Sequence, residues 1–304
     1  MSTTAATELR HQFVEVEGAR LHYVIAGSGP LMLFVHGFPQ HWYAFRHQLA
    51  EFAKDYTVVA VDLRGVNLSS RPKNLRDNGV WVAADDMKCL VQHLGFSTCI
   101  LVGHDWGAAV GYSFALHHRE MLDRLVVMSG SHPATFDREL HYNESQIAGG
   151  KHWLRLRRPD SATKLAVNDF EALKQTFAEH RFFTKEDLET YLAAWRQPGA
   201  IEGMVAWYHA EGWGPAEGLS PAHGNYVHEV SPQTITVPTL VIYGDRDKFL
   251  ANQNYDGLDK YVPDLTIRRI EGGSHWILDE HPALTNRYIR EFMDRTQSQD
   301  QAAQ

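Results

Sequence analysis

The stretch Ile100-Leu-Val-Gly-His-Asp-Trp-Gly-Ala-Ala-Val110 constrains this chain more than any other. An apolar, β-branched run stops at Gly103. Gly107 follows four residues later, and Ala108-Ala109-Val110-Gly111 begins a small-residue run. The pattern predicts a strand, a sharp turn and a helix, with glycine wherever a side chain would clash. Asp105 stands at the centre of the turn. What a carboxylate does in that place is the question the rest of the chain has to answer.

At 304 residues the chain suits one large domain, or a core carrying an insertion. Apolar content of 44% and charged content of 22% are those of a soluble globular protein. The net charge of −8 argues against a broad nucleic-acid partner, which needs a basic face. The one basic cluster, Arg155 to Arg158, reads as a solvated helix face or helix end. Cys89 and Cys99 read as buried thiols, which points to a reducing, cytoplasmic setting. Met1 to Glu8 lacks the apolar stretch of a secretory leader, and no apolar run approaches the ~20 residues of a membrane span. The 18 histidines show no metal-ligand spacing. Neither metal nor cofactor is expected. The expected partner is a small molecule, and the chain is expected to be a monomer or homodimer.

Taken in order, Phe13 to Val16 and Arg20 to Ala26 read as two strands about a turn at Glu17-Gly18. Leu31 to Val35 and Thr57 to Val61 are continuous apolar runs, as expected of strands buried on both faces. Phe45 to Ala53 and Val80 to Leu94 have helical spacing, and Leu122 to Met128 is the next strand. Strand and helix alternate, so the fold class is α/β, a mostly parallel sheet flanked by helices. In such sheets the site lies at the C-terminal strand ends.

The alternation stops at His132. No buried strand is evident until Thr239 to Tyr243, and Asp169 to Glu179 and Lys185 to Ala194 have helical periods. We therefore expect an inserted helical lid over residues 132–230, with the core formed by 1–131 and 231–304. Leu265 to Ile270 supplies the last strand, and Pro282 to about Thr296 the last helix.

Three strand ends besides the Asp105 turn carry polar chemistry. His36-Gly-Phe-Pro39 follows the first buried strand, and Pro39 could follow a cis bond. Tyr243-Gly-Asp-Arg-Asp247 offers two acids, Asp245 and Asp247. Gly272-Gly-Ser-His275-Trp offers a histidine. A carboxylate is a weaker nucleophile than an alkoxide but is permanently ionised, which suits displacement at an sp³ carbon. The resulting ester on Asp105 would need a water activated by a histidine, itself oriented by an acid.

These motifs, in this order, resemble the α/β-hydrolase family of epoxide hydrolases and related dehalogenases over nearly the whole chain. The resemblance rests on His36-Gly-Phe-Pro39, Arg64-Gly-Val-Asn-Leu-Ser69, Gly103-His-Asp-Trp-Gly107, Gly244-Asp-Arg-Asp247 and Ser274-His-Trp276. It implies a triad in the chain order nucleophile, acid, histidine. The resemblance also selects Asp247, three residues after the strand-end Gly244, over Asp245 as the acid between Asp105 and His275. It also implies an oxyanion hole from the backbone N–H groups of Phe38 and Trp106.

The lid separates the possible substrates. Met204-Val-Ala-Trp-Tyr208 resembles the motif that carries a lid tyrosine in epoxide hydrolases, so Tyr208 is the candidate acid for an opening epoxide. A second lid tyrosine is usual seven residues before a proline, but here that place holds His152, followed by Trp153, so His152 is expected to bind and protonate the epoxide oxygen together with Tyr208. Trp153 and Trp207 are expected to line the substrate site. A halide pocket of a dehalogenase could use His152, Trp153, Tyr208 and Trp106. The arginines that clamp a haloacid in haloacetate dehalogenases are replaced by Trp106 and Ala109, and Phe38 stands where haloalkane dehalogenases have Asn. The expected function is therefore epoxide opening to a diol, ahead of dehalogenation and of a non-catalytic receptor of the same fold.

Overall fold

A computed structural model of the chain describes residues 8–211 and 234–303. Eight strands form one sheet: β1 (Arg10–Val16), β2 (Ala19–Gly27), β3 (Leu31–Val35), β4 (Thr57–Val61), β5 (Cys99–His104), β6 (Leu122–Met128), β7 (Thr239–Gly244) and β8 (Leu265–Ile270). Their spatial order is β1-β2-β4-β3-β5-β6-β7-β8. β1 and β2 form an antiparallel hairpin, β2 also runs antiparallel to β4, and every later pair is parallel. All side chains of β3 and β5 are buried, as their uninterrupted apolar runs require of strands covered on both faces.

The core helices are α1 (Arg46–Phe52), α2 (Val80–His93) and α3 (Trp106–His117). Between β6 and β7 the chain forms α4 (Pro133–Tyr142), α5 (Glu144–Gly149), α6 (Lys151–Leu156), α7 (Ser161–Ala178), α8 (Lys185–Trp195) and α9 (Ala200–Ala210). α10 (Ile277–Glu280) and α11 (Pro282–Ala303) close the core. The expected lid thus corresponds to α4 to α9, while its C-terminal limit at residue 230 lies outside the described residues. Of the two cysteines, Cys99 is buried but Cys89 is only half-buried, because α2 turns that position toward its rim. Among the described residues no helix is long and apolar enough to cross a membrane.

One lid helix differs from its sequence period, while α8 begins at the expected Lys185. α7 starts eight residues earlier than the expected Asp169 and breaks within itself. Asn168, Asp169 and Phe170 adopt left-handed backbone, with φ of 51°, 56° and 62°. Arg196 braces the break by a two-armed ion pair with Asp169. α8 begins where Thr184 and Asp187 form a reciprocal capping box, satisfying amide donors that the first turn leaves unpaired.

Glycines allow the closest approaches. A Cβ on Gly107 would lie 1.8 Å from the Val35 carbonyl oxygen, so α3 can start directly against β3 only with glycine there. At the seam between core and lid, a Cβ on Gly203 of α9 would lie 2.2 Å from the Gly65 carbonyl oxygen. Trp207, one turn further along α9, donates its indole N–H to the Arg64 carbonyl. Gly203→Ala sets two effects against each other. Alanine favours the helix by ~1 kcal/mol, but overpacking typically costs ~1–3 kcal/mol. With backbone as the obstacle, the clash is expected to dominate, giving a net loss of about 1–2 kcal/mol in urea denaturation. A variant as stable as the parent would show the seam to be slack.

Candidate active site

Asp105 occupies the turn between β5 and α3 with φ 54° and ψ −118°, an unusual backbone for a residue with a side chain. Such conformations persist only where the surroundings over-determine them, as at a nucleophile elbow. Gly37 makes room for the carboxylate: a Cβ there would lie 2.1 Å from Asp105 Oδ1. The Phe38 N–H donates to the same oxygen at 2.8 Å, and the Trp106 N–H adds a second backbone bond to the carboxylate. Both N–H groups expected of the oxyanion hole therefore converge on Asp105. The Phe38–Pro39 peptide is cis.

β7 and β8 bring in the other two members. Asp247 Oδ1 accepts the N–H groups of Phe249 and Leu250, which ties down its loop. His275 Nδ1 donates to Asp247 Oδ2 at 2.7 Å, and His275 Nε2 lies 3.4 Å from Asp105 Oδ2. Asp245 is engaged elsewhere, with Arg269 and the Gly272 N–H. His104, next to Asp105, donates from Nε2 to the His275 carbonyl at 2.9 Å and so fastens the histidine loop to β5. Burial, with His275 beside it, pushes the pKa of His104 down to about 4.

The electrostatics follow from one cation between two anions. Burial by itself would discharge His275, but the Asp247 and Asp105 carboxylates outweigh it and raise its pKa to about 10. Burial likewise opposes ionisation of Asp105, and the His275 contact overcomes it, holding that carboxyl below its ordinary range. At neutral pH the site rests as carboxylate, imidazolium, carboxylate. The Asp105 side chain remains 25% exposed, toward a cavity of about 550 Å³ between core and lid.

Tyr208 lines that cavity from α9, its ring edge-on to Phe38, Trp106 and Trp153. Burial and then the Asp105 charge hold its phenol well above the ordinary pKa, while a hydrogen bond from the Trp106 indole opposes them. The Tyr208 hydroxyl is therefore neutral, accepts from Trp106, and keeps its own proton to give. His152, on α6, lines the same cavity. Its Nδ1 lies 2.8 Å from the Gly149 carbonyl, which can only accept. Burial lowers its pKa, so the neutral ring offers Nε2 as an acceptor.

Trp153 lines a smaller chamber of about 70 Å³ that adjoins Asp105. Trp207, expected at the substrate, lines neither space. It packs behind Trp106 with ring centroids 5.7 Å apart and is held by the Arg64 carbonyl. Successive residues on a helix point ~100° apart, so Trp207 and Tyr208 do not share a face. The basic cluster is divided: Arg155 and Arg158 stand at the wall of the large cavity. Arg157 instead reaches across to the carbonyls of Tyr208 and Glu211. Among the described residues no group of three or more His, Cys, Asp or Glu is placed to hold a metal.

The alpha/beta hydrolase fold family matches residues 30–282. Epoxide hydrolase 3 of Xenopus tropicalis is 33% identical, over 95% of this chain and 79% of its own. Epoxide hydrolase 4 of Mus musculus is also 33% identical, over 95% of this chain and 81% of its own. The crystal structure of a Bacillus megaterium epoxide hydrolase in complex with an inhibitor superposes with a TM-score of 0.85 at 30% identity, covering 93% of this chain and 100% of that one. The chain belongs to the epoxide hydrolases of the α/β hydrolase fold.

Proposed function

We propose that this hydrolase opens an epoxide to a vicinal diol through two displacements at Asp105. In the first, an Asp105 oxygen bonds to an epoxide carbon and the carbon–oxygen bond of the ring breaks. The released oxygen takes a proton from the Tyr208 hydroxyl, leaving a hydroxyalkyl ester. In the second, a water oxygen bonds to the Asp105 carboxyl carbon while its proton passes to His275 Nε2. The tetrahedral oxyanion is held by the Phe38 and Trp106 N–H groups, and its collapse expels the diol. Phe38 and Trp106 already grip Asp105 in the resting state. Losing one such donor typically costs ~3–4 kcal/mol of barrier.

The observation that carries this reading is the neutral Tyr208 hydroxyl beside an ionised Asp105, with the Trp106 indole turned to the phenol oxygen. A departing halide needs no proton, whereas a departing alkoxide does. The proton count also closes. His275 rests protonated. The proton consumed at the epoxide oxygen, restored to Tyr208 from His275, leaves that histidine neutral when water must be activated. Esterification favours the same change, because it removes the Asp105 charge that helps hold the proton on His275.

His275→Gln is expected to form the ester and fail to hydrolyse it. Mass spectrometry of quenched enzyme should then find the adduct on the peptide carrying Asp105, and unmodified Asp105 after substrate exposure would overturn the assignment. Tyr208→Phe should slow ester formation by roughly 10²–10⁴-fold. His152→Gln should slow it less, since the neutral imidazole has no proton facing the site. An equal loss in both variants would make His152 a second acid. In single-turnover pH profiles, hydrolysis of the ester should accelerate as pH rises through the pKa of His275. That apparent pKa should lie below the value of about 10 in the free enzyme, because the ester carries no charge at Asp105. Hydrolysis that slows with rising pH would exclude His275 as the base.

A further inference from the structure

β6 ends at Met128, and the chain turns through Ser129-Gly130-Ser131 before α4. Ser129 has φ 43°, in the left-handed region that disfavours residues with side chains. The turn is pressed onto the nucleophile helix. A Cβ on Gly130 would lie 2.1 Å from Ala108 Cβ, two residues beyond the start of α3. Strain of this kind is held by the surrounding structure and gathers at functional sites.

This turn forms part of the wall of the 70 Å³ chamber. The chamber shares Asp105, His152, Tyr208, Phe249 and His275 with the large cavity, but its remaining walls belong to the strand ends, α3 and the first part of the lid. Ser129 is fully buried, and the oxygens of Ser129 and Ser131 are shielded and have no hydrogen-bond partner among the described residues. Nothing in the two displacements uses them. A buried hydroxyl left unpaired is costly, so such groups call for a polar occupant. The space is enough for more than one water, each of which needs ~10–15 Å³ of this kind of volume.

The second displacement needs water at His275 after the large cavity has received the substrate. We propose that the Ser129–Ser131 turn holds that water. Turned about their Cα–Cβ bonds from these shielded positions toward the chamber, the two hydroxyls anchor it beside His275, from which it reaches the Asp105 carboxyl carbon. The serines only hydrogen-bond: the water proton passes to His275 Nε2, and the new bond is water oxygen to carboxyl carbon. They are positioning residues, acting through the water. This assignment rests on the covalent-ester reading.

The test is single-turnover hydrolysis of styrene oxide with the ester quantified by mass spectrometry, in Ser129→Gly/Ser131→Ala and in His275→Gln. Glycine removes the Ser129 hydroxyl while accepting its positive φ. The double variant should form the ester within twofold of the parent rate and hydrolyse it at least tenfold more slowly, so that ester accumulates. Ser131→Ala alone should slow hydrolysis by a smaller factor, and this second variant decides the matter if the double variant does not fold. Ser131→Thr, which retains a hydroxyl, should restore it. Hydrolysis at the parent rate in the variants overturns the proposal. So does unchanged hydrolysis with an altered KM or altered ring-opening position, which would make the chamber a subsite for a substrate arm. Ester in His275→Gln with none accumulating in the serine variants overturns the water pocket alone. Absence of ester in His275→Gln as well overturns the covalent reading beneath it.

Discussion

A buried imidazolium between two carboxylates is the interaction on which the rest of this site depends. His275 lies within 2.7 Å of Asp247 and 3.4 Å of Asp105, each carried on a different strand end. Burial opposes the charge on Asp105 and the cation beside it offsets that, while burial opposes the charge on His275 and the two carboxylates offset that. The three charges are therefore a unit. Changing one changes the proton affinity of the next, and the reaction proposed here changes Asp105 first. A parallel sheet suits this arrangement because β5, β7 and β8 end at the same edge. The local ties hold it: Asp247 by two amide N–H groups, His275 by His104.

Those charges act in a space that the lid closes from above. The closure is polar at its seam. Trp195 of α8 donates to the Pro39 carbonyl, and Trp207 of α9 to the Arg64 carbonyl. Arg46 of the core bridges Asp187 of α8 and Asp279 of α10, and Gln40 donates to both Tyr191 and Asp279. Burial raises Asp279 to about 6 even with Arg46 beside it. Breaking one partner of such a cluster strands the other, so its worth lies in fixing where the lid sits more than in net stability. The Pro39 bond matters most for chemistry, since Pro39 adjoins the Phe38 N–H that grips Asp105. Lid position and nucleophile environment are thereby coupled through two residues.

Most of the core was legible because each strand is an apolar run closed by glycine or a turn. β3, β4, β6 and β8 have the limits that their sequences suggest. The turn at Asp105 was legible for the same reason. The lid was less so, because α4, α5 and α6 are short helices stabilised by packing, and because the left-handed break at Asn168 to Phe170 carries no glycine to announce it. Spacing alone left Asp245 and Asp247 equivalent. The distinction lies in tertiary contacts, with Arg269 on β8 occupying one and His275 facing the other. A strained serine with an unpaired hydroxyl has no signature in sequence.

Trp106 shows how much one residue can be asked to do at such a turn. Its backbone N–H faces the Asp105 carboxylate, while its indole N–H faces the Tyr208 oxygen. In the proposed reaction the backbone donor serves the oxyanion of the second displacement. The indole polarises the phenol that serves the first, and its effect on the Tyr208 pKa is downward, toward easier proton release. Were that indole free, it would be a natural donor to a halide. Committed to Tyr208, it turns the site toward a leaving group that must be protonated. His152 adds no second donor, since a neutral ring bonded through Nδ1 to Gly149 presents only a lone pair at Nε2, which leaves the proton to Tyr208. One strong donor aimed at one oxygen, between apolar aromatic walls, fits a strained ring whose opening is driven as much by the proton as by the nucleophile.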